Sequence, residues 1–339
     1  MQIKENINHQ SPIVWITGAD GFIGSHLVDF LLQKGFKIIA SIEPNQCLKN
    51  LKHYVKENKI INPNLQIIEC DIKDKIKIDE IVSQFRPDVI FHLAAQSMVK
   101  RSWENPALTI EINMIGEINI FESLRKHTLN SKVIVACSSA EYGYQLKEEL
   151  PLKETNHLRP LHPYGISKVG QELLAKQYWI NFKIPTIILR LFNQTGPRKD
   201  NDACSEFTQK IAKIELGLLP PIINVGNLET YRDIVAIKDT IQAFWLAYEK
   251  GKPGEVYNVC SGRAFKMRDI LNYIISLSSK DIKIVENDHN LLRIIDEPII
   301  IGDNSKIKNE LGFKITQDLY DCLKDMFNYW LEFFKNNKV

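Results

Sequence analysis

A glycine-rich turn near the N-terminus constrains the fold of this chain more than any other feature of the sequence. The apolar run Pro12–Thr17 is followed at once by glycines at positions 18, 21 and 24, and Gly24–Lys34 then shows helical apolar spacing. Glycines at this spacing allow a tight turn, let backbone approach a pyrophosphate and let the helix pack close to the strand. The N–H groups of the helix N-terminus then face the phosphates. The segment therefore predicts a dinucleotide-binding turn, the alternative being an ordinary glycine-rich connection.

Short apolar runs alternate with helical patterns through the first half of the chain. This alternation is typical of a parallel sheet covered by helices on both faces. We predict strands at Pro12–Thr17, Phe36–Ile42, Leu65–Glu69, Val89–Leu93, Val133–Cys137 and Thr186–Leu189, and helices at Gly24–Lys34, Ile78–Phe85, Ala107–Lys126 and Tyr164–Phe182. Gly and Pro cluster more densely after Arg190, where a strand at Glu255–Val259 and a closing helix at Tyr320–Phe334 are predicted.

These patterns predict an α/β chain with a doubly wound parallel sheet, which is the NAD(P)-binding Rossmann fold, and a smaller C-terminal lobe that covers the ligand edge of the sheet. The predicted division gives a dinucleotide-binding domain at residues 1–190, with segments near 236–260 returning to it, and a substrate domain at residues 191–339.

Composition excludes several other classes of function. Lys and Arg number 43 against 41 Asp and Glu, so no excess of charge favours nucleic acid or an anionic membrane as a partner. The six cysteines are scattered and no Cys/His cluster has zinc spacing, so we predict no metal site. There is no run of about 18 apolar residues and the N-terminus is polar, so we predict a cytoplasmic protein.

The residue after the second predicted strand selects between the two nicotinamide dinucleotides. An acidic side chain there bonds the adenosine ribose hydroxyls, whereas an arginine accepts the 2′-phosphate. Glu43 stands 19 residues after Gly24, and no arginine is nearby. The sequence therefore favours NAD(H) over NADP(H), unless Glu43 is simply a solvated loop acid. Asp71, after the third strand, can bond the adenine amino group, with Ile72 packing nearby.

A tyrosine and a lysine four residues apart, Tyr164 and Lys168, lie on one face of a predicted helix. A phenol has an ordinary pKa of about 10 and exchanges protons poorly at neutral pH unless its anion is stabilised, which a neighbouring ammonium group does. Such pairs also occur by chance on helix surfaces. Ser138, however, ends the fifth predicted strand, at the carboxyl edge of the sheet where ligands bind. We therefore predict that Ser138, Tyr164 and Lys168 form a catalytic set.

A combined pattern is carried by Thr17–Gly24, His92–Ala95, Ser138, Tyr164–Lys168 and Leu191–Pro197. It resembles the pattern of extended short-chain dehydrogenases/reductases that act on nucleotide sugars. Further similarity, to the branch of GDP-mannose 4,6-dehydratases and GDP-4-keto-6-deoxy-mannose reductases, comes from Ala94–Ser97, Val225–Asp233 and Tyr257–Gly262. The chain resembles the reductases more closely than the dehydratases at Asn193–Pro197 and Cys204–Phe207.

The resemblance implies which residues contact each ligand. Those expected to bind the dinucleotide are Gly18, Asp20, Gly21, Phe22, Ile23, Gly24, Glu43, Asp71, Ile72, Leu93, Ala94, Ala95, Tyr164 and Lys168. Those expected to bind a nucleotide diphosphate sugar are Gln96, Ser139, Asn193, Val225, Arg232, Arg293 and Glu297. Arg232 and Arg293 would supply the positive charge that a diphosphate needs, the alternative for each being a surface arginine. The family's Arg-Pro is Arg293-Ile294 here, which leaves the shape of that loop open.

Ala140 distinguishes among the reactions of this family. A 4,6-dehydratase oxidises C4 and eliminates water across C5 and C6, and the resemblance implies a glutamate two residues after the strand-end hydroxyl. Ala140 stands there and cannot transfer a proton, while Glu141 is one place on, where a side chain usually turns to the other face. The sequence therefore favours a reductase of a GDP-linked 4-keto-6-deoxy-hexose over a dehydratase. The alternatives are a nucleotide-sugar 4-epimerase and a non-catalytic sensor of NAD(H) or a nucleotide sugar.

The resemblance also implies a homodimer, in which two long helices of each subunit form a four-helix interface. Apolar stripes occur on the first predicted helix at Ile110, Met114, Ile118 and Phe121, and on the second at Leu173, Leu174, Tyr178 and Trp179. Because one stripe per helix suffices to cover the sheet, packing within a single chain explains these stripes equally well.

Overall fold

The computed structural model describes residues 12–288, 291 and 297–337. Within these ranges the strands are β1 (Ile13–Thr17), β2 (Lys37–Ile42), β3 (Val55–Lys56), β4 (Lys59–Ile60), β5 (Leu65–Glu69), β6 (Val89–His92), β7 (Lys132–Ser138), β8 (Thr186–Leu191), β9 (Asn193–Thr195), β10 (Ile222–Asn224), β11 (Tyr231–Ala236), β12 (Val256–Val259), β13 (Ala264–Lys266), β14 (Lys283–Val285) and β15 (Ile299–Ile300).

The helices in the same ranges are α1 (Phe22–Gln33), α2 (Lys75–Phe85), α3 (Val99–Glu104), α4 (Pro106–Ile110), α5 (Gly116–Lys126), α6 (Pro163–Phe182), α7 (Ala203–Glu215), α8 (Ile237–Lys250), α9 (Met267–Ser276), α10 (Ser305–Leu311) and α11 (Leu319–Asn337). Short 3₁₀ turns lie at Lys52–Tyr54, Ser139–Glu141 and Lys147–Glu149.

The main sheet has seven strands in the order β12-β8-β7-β6-β1-β2-β5, and every neighbouring pair is parallel. Its strands are buried on both faces, through residues such as Trp15, Ile39, Ile134 and Leu189, because helices cover each side. The predicted α/β class and Rossmann-type sheet are therefore confirmed. Since β1 lies between β2 and β6, the strand order reverses there, and the carboxyl ends of β1 and β6 flank the crevice in which such sheets bind ligands.

The predicted helix Ala107–Lys126 is interrupted. A π turn over Glu111–Ile115 separates α4 from α5, and such turns are frequent at functional sites. Gly116 follows this turn, where an added Cβ would lie 2.7 Å from Cγ2 of Ile72. Glycine therefore allows α5 to pack closely against the loop after β5.

A second apolar core lies in the C-terminal half of the chain, where α7, α9 and α11 pack through residues such as Ile211, Leu271 and Met326. Strand β11 pairs with β9, β13 and β15 beside this core. Strand β12 instead pairs with β8 in the main sheet, and α8 packs on that sheet. Tyr257 of β12 and Phe244 of α8 both lie in its core. These pairings place β9 and β11 near the carboxyl edge of the main sheet.

Candidate active site

The glycine turn after β1 is built so that only glycine fits. Gly18 has a φ of +67°, and an added Cβ would lie 2.9 Å from the backbone N of Ala94. At Gly24 a Cβ would lie 2.3 Å from the carbonyl oxygen of Gly18. Gly21 precedes α1, and its N–H donates to the same carbonyl at 3.1 Å. The turn therefore brings the N-terminus of α1, at Phe22 and Ile23, to the carboxyl edge of β1.

Thr17, which sequence reasoning did not single out as a site residue, joins this turn to β6. Its hydroxyl oxygen accepts from the N–H groups of Leu93 and Ala94, each at 3.0 Å, and lies 2.9 Å from Nδ1 of His92. Burial, with a smaller contribution from the charge of Lys168, lowers the pKa of His92 to about 3. His92 is therefore a neutral packing residue, and Thr17 holds the backbone of Leu93 and Ala94 against the glycine turn.

The carboxylate of Asp20 is held by backbone N–H groups. Its carboxylate accepts from the backbone N–H groups of Lys49, Asn50 and Leu51 at 2.7, 2.8 and 2.7 Å. These three bonds fix the segment that follows β2 and orient the side chain of Asp20. The expected contact of Asp20 with a dinucleotide stays a prediction.

Two acids lie where the adenosine end of a dinucleotide is expected. Glu43 directly follows β2, is exposed and accepts from Nε2 of Gln46 at 2.6 Å. Asp71 follows the neighbouring strand β5, and its carboxylate accepts from the N–H of Lys73 at 2.9 Å. Ile72 is buried beside it. Because β2 and β5 are parallel neighbours, both acids lie at the same edge of the sheet.

The pair Tyr164 and Lys168 lies at the start of α6. His162 caps this helix, since its Nδ1 accepts from the N–H of Gly165 at 3.0 Å. Lys168 is buried, its Nζ donates to the carbonyl of Ala136 at 2.8 Å, and the same atom lies 5.9 Å from the ring centroid of Tyr164. The half-buried Tyr164 therefore has a fixed positive charge one helical turn away.

Ser138 ends β7 beside the start of α6. Its hydroxyl oxygen accepts from the N–H of Ala140 at 3.1 Å. Ser139 and Ala140 are half-buried, and the carbonyl of Ala140 would lie 2.6 Å from a Cβ on Gly165. The structure thus brings residues 138–141, called the Ser138 turn below, into direct contact with the helix of Tyr164. Glu141, which closes the turn, is 0% exposed and accepts from the N–H of Ser138 at 2.8 Å.

The π turn places Asn113 between α6 and the loop after β6. Its Oδ1 accepts from the N–H of Gln96 at 2.8 Å, and its Nδ2 donates to Oγ of Ser167 at 2.8 Å. The amide of Gln96 accepts from the N–H of Met98 and donates to Oγ1 of Thr109. The amide of Gln96 therefore holds this loop, and its expected contact with substrate stays a prediction.

The residues expected to bind substrate are spread over the C-terminal half. Asn193 is exposed at the start of β9, and its Nδ2 donates to the carbonyl of Asp233 at 2.9 Å. Arg232 is buried and donates to the carbonyls of Tyr231 and Glu297 at 2.9 and 2.7 Å. The structure therefore brings Arg232 and Glu297 together. Arg293 lies outside the described residues.

Val225 is buried in the second core. Its N–H donates to the carbonyl of Val285, and its carbonyl accepts from the N–H of Asp288. Both backbone groups therefore connect neighbouring strands and loops, and the expected contact with a nucleotide base stays a prediction.

Asp233 is a buried residue that the sequence did not single out. It accepts from the N–H groups of Ser261, Gly262 and Gly302 and from the hydroxyl of Ser261. Burial raises the pKa of Asp233, while these bonds oppose the increase. Asp233 therefore ties β11 to the two loops behind Asn193. In the sequence, Asp233 is marked only by its place at the end of Val225–Asp233, next to Arg232.

Among the described residues, no three His, Cys, Asp or Glu side chains are grouped so as to hold a metal ion. In the same part of the chain, no helix combines the length and the apolar character that crossing a bilayer requires.

A comparison with protein families matches residues 15–326 to the model described as GDP-mannose 4,6 dehydratase. The chain belongs to this family. The family is one of nucleotide-sugar dehydratases, reductases and epimerases.

Curated relatives of this family member differ in the reaction that they are named for. The chain is 25% identical over 318 residues to GDP-6-deoxy-D-mannose reductase of Pseudomonas aeruginosa, covering 94% of this chain and 96% of the relative. It is 32% identical over 332 residues to a putative UDP-glucose 4-epimerase of Methanocaldococcus jannaschii, covering 96% and 99%.

Solved structures agree in fold. RMD from Pseudomonas aeruginosa, complexed with NADPH, matches with a TM-score of 0.80 at 23% identity and covers 95% of this chain and 99% of its own. UDP-glucose 4-epimerase of Thermotoga maritima, with UDP-glucose, matches with a TM-score of 0.82 at 28% identity and the same coverage.

Proposed function

We propose that this chain reduces the C4 ketone of a GDP-linked 4-keto-6-deoxy-hexose with hydride from a reduced nicotinamide dinucleotide. The observation that carries the proposal is the Ser138 turn, which presents hydroxyls beside α6 but no available acid. Ala140 has no proton to transfer, and the carboxyl of Glu141 is buried 3.6 Å from Nε of Arg190. A ketone reduction needs a proton donor and no elimination acid, and the reductase relative supports the same reaction.

The described residues fit a dinucleotide, because the glycine turn after β1, too tight to admit a Cβ at Gly18 or Gly24, brings the N–H groups at the N-terminus of α1 to the carboxyl edge of β1. Reduced nicotinamide supplies hydride when bound. Tyr164 donates the proton to the C4 oxygen, and the charge of Lys168 stabilises the phenolate that remains. Lys168 uses one N–H on Ala136 and has two further donors for ribose hydroxyls. Ser138 accepts from Ala140, so its own hydrogen can be donated to the C4 oxygen.

Substrate binding is proposed for the edge formed by β9 and β11. Asn193 is exposed there and oriented by its bond to the carbonyl of Asp233. Arg232 supplies positive charge beside Glu297. A diphosphate carries about two negative charges at neutral pH, and a guanidinium matches its oxygens with paired N–H donors.

A 4-epimerase is the second candidate. The relative named as a putative UDP-glucose 4-epimerase has the higher identity of the two curated proteins, 32%. An epimerase also needs no elimination acid, so Ala140 and the buried Glu141 are compatible with it.

The reaction is tested by incubating the protein with NADH or NADPH and a panel of nucleotide-linked 4-keto-6-deoxy sugars. We expect loss of reduced-nicotinamide absorbance with the GDP-linked sugar. Two further reactions contain GDP-mannose with NAD or NADP, and UDP-glucose with either oxidised dinucleotide. A 4-keto-6-deoxy product from GDP-mannose would identify a dehydratase, and UDP-galactose from UDP-glucose would identify an epimerase.

We propose that NADH binds more tightly than NADPH because the charge of Glu43 repels a 2′-phosphate. Replacing Glu43 with Arg should reverse the preference, by about tenfold or more in the ratio of dissociation constants. Fluorescence titration with each reduced dinucleotide measures both constants. Glu57→Arg, on the β3–β4 turn, is the matched control and should change neither. A clear preference of the unaltered protein for NADPH would contradict this assignment.

We also propose a homodimer, through a face of α6 that shares only Leu173 with the predicted stripe. Phe121 is 0% exposed and Tyr178 is 5% exposed, so parts of both predicted stripes cover the sheet. Four apolar residues of α6 are exposed instead. They are Ile166, Leu173 and Ile180, which follow one another at intervals of seven residues, and Phe182. Ile115 and Trp103 add apolar surface from the π turn and α3.

Light scattering at micromolar concentration should give about twice the 39.1 kDa mass of one chain. Leu173→Asp should lower the mass to that of a monomer, because a carboxylate would be buried in an apolar interface. Ile76→Asp, on the exposed face of α2, is the control and should leave the dimer intact. A single-chain mass for the unaltered protein would rule the dimer out.

A further inference from the structure

Two buried carboxyl groups lie side by side behind the Ser138 turn. Glu141, at the end of this turn, is 0% exposed, and Glu172, on α6, is 1% exposed. Neither contributes to the reaction steps described above. Carboxylates are seldom buried unless paired, so the arrangement of their partners decides which protonation state each one has.

Glu172 is fully paired with cations. Its two oxygens accept from Nε and Nη2 of Arg190 at 2.8 and 2.7 Å, and Nζ of Lys176 lies 2.7 Å from Oε1. Burial raises the pKa of Glu172, but the bonds and charges of Arg190 and Lys176 outweigh burial and hold it well below the ordinary value. Glu172 is therefore the ionised member of the pair.

Glu141 has a partner on one oxygen only. Its Oε1 accepts from the N–H of Ser138 at 2.8 Å. Its Oε2 is buried with no hydrogen-bond donor, and the nearest cation, Nε of Arg190 at 3.6 Å, already donates to Glu172. Burial first, and then the charge of Glu172, raise the pKa of Glu141 well above the ordinary value. A proton on Oε2, donated to Glu172, satisfies both carboxyls at once.

Other charged or titratable groups surround the pair from each packed element. They are Arg190 on β8, Lys168 and Lys176 on α6, Glu117 on α5, Cys137 on β7 and Tyr142 next to the turn. Arg190 also donates to the hydroxyl of Tyr142 at 2.9 Å. The N–H groups of Arg190 are therefore shared among several acceptors. The hydrogen bond between the two carboxyl groups then depends on a proton carried by Glu141.

We propose that Glu141 is a positioning residue for the reductase reaction proposed above: as a neutral acid it donates to Glu172 and accepts the Ser138 N–H, which fixes the Ser138 hydroxyl for the C4 oxygen. Loss of the shared proton at alkaline pH places two carboxylates against each other. Their repulsion displaces the turn, so kcat falls with a single ionisation while substrate binding, which depends on β9 and β11, changes little.

The test compares kcat and KM across pH for the unaltered protein, Glu141→Gln and Glu141→Ala. Glutamine can still accept from Ser138 and donate to Glu172 but cannot ionise, so we expect near-native kcat at neutral pH and an alkaline limb shifted upward or absent. Glu141→Ala should lower kcat by about 10²-fold at all pH values with KM nearly constant, since displacing the Ser138 hydroxyl by about 1 Å can reduce the rate by that factor. Glu117→Gln removes another buried carboxyl that has no bond to this turn, and should leave the alkaline limb unchanged. An unchanged alkaline limb in Glu141→Gln would overturn the proposal.

Thermal unfolding gives a readout that does not depend on turnover. An acid whose pKa is higher in the folded state than its unfolded value of about 4.3 keeps a proton that the unfolded chain loses, so stability falls as pH rises between the two values. The unfolding midpoint of Glu141→Gln, relative to the unaltered protein, should therefore increase over that window. A pH-independent difference would refute the protonated pair. If the difference increases but no keto sugar is turned over, the reductase assignment fails and the shared proton is supported.

Discussion

Replacing Tyr164 with Phe is expected to lower kcat by about 10²–10⁴-fold, because only the hydroxyl that transfers the proton is removed. The ring remains half-buried at the start of α6, and Lys168 keeps its bond to Ala136. Dinucleotide affinity should therefore change by less than about twofold. Steady-state assays with the GDP-linked keto sugar measure kcat, and fluorescence titration measures affinity.

Tyr248→Phe is the matched control for this variant. Tyr248 lies on α8, where its ring packs against Phe36 and Trp245, far along the sheet from the Ser138 turn. It loses the same hydroxyl without touching the crevice, so its kcat should equal that of the unaltered protein. Near-native kcat in Tyr164→Phe would remove this residue from the mechanism.

Replacing Arg190 with Met is expected to lower the free energy of unfolding by about 3–5 kcal/mol, which is typical when one partner of a buried ion pair is removed. Arg190 is 2% exposed and donates to Glu172, to the hydroxyl of Tyr142 and to the carbonyl of Glu154. Methionine fills much of the volume but leaves the carboxylate of Glu172 without its main counter-charge.

Urea denaturation of both proteins at several pH values measures this loss. The loss should become smaller as pH falls, because Glu172 can then be neutralised by protonation. Arg125→Met removes an arginine whose side chain is 49% exposed and which pairs with Glu122, and it should change stability by less than about 1 kcal/mol. Equal losses of unfolding free energy in the two variants would show that the buried bonds of Arg190 stabilise the fold no more than an exposed ion pair does.

The sheet and its glycine turn could be predicted from the sequence because their signals are local. Strands such as β1 and β7 are continuous apolar runs, and a glycine with φ of +67° at Gly18 leaves a recognisable spacing. The helix carrying Tyr164 and Lys168 was predicted at Tyr164–Phe182 and is observed at Pro163–Phe182. In each case the residues that determine the element lie within the element itself.

The roles of polar side chains could not be predicted in the same way. Asp20 bonds to a segment about 30 residues away. The amide of Gln96 donates to Thr109 on α4, 13 residues away, and Arg232 donates to the carbonyl of Glu297, 65 residues away. An acidic or amide residue in a binding motif is the same in the sequence whether its side chain contacts a ligand or a backbone N–H. Only the fold determines which partner it meets.

Strand β12 has a consequence for how this chain folds. It supplies the outer neighbour of β8 from a segment more than 60 residues further along, and Ile307 and Leu311 of α10 complete the same core. A nascent or truncated chain that ends near residue 190 therefore exposes the unpaired edge of the largely apolar strand β8, the kind of surface that templates aggregation. Since long-range parallel pairing is also slow to form, the N-terminal half should require the C-terminal half for productive folding, and the two should not be separable by expression as fragments.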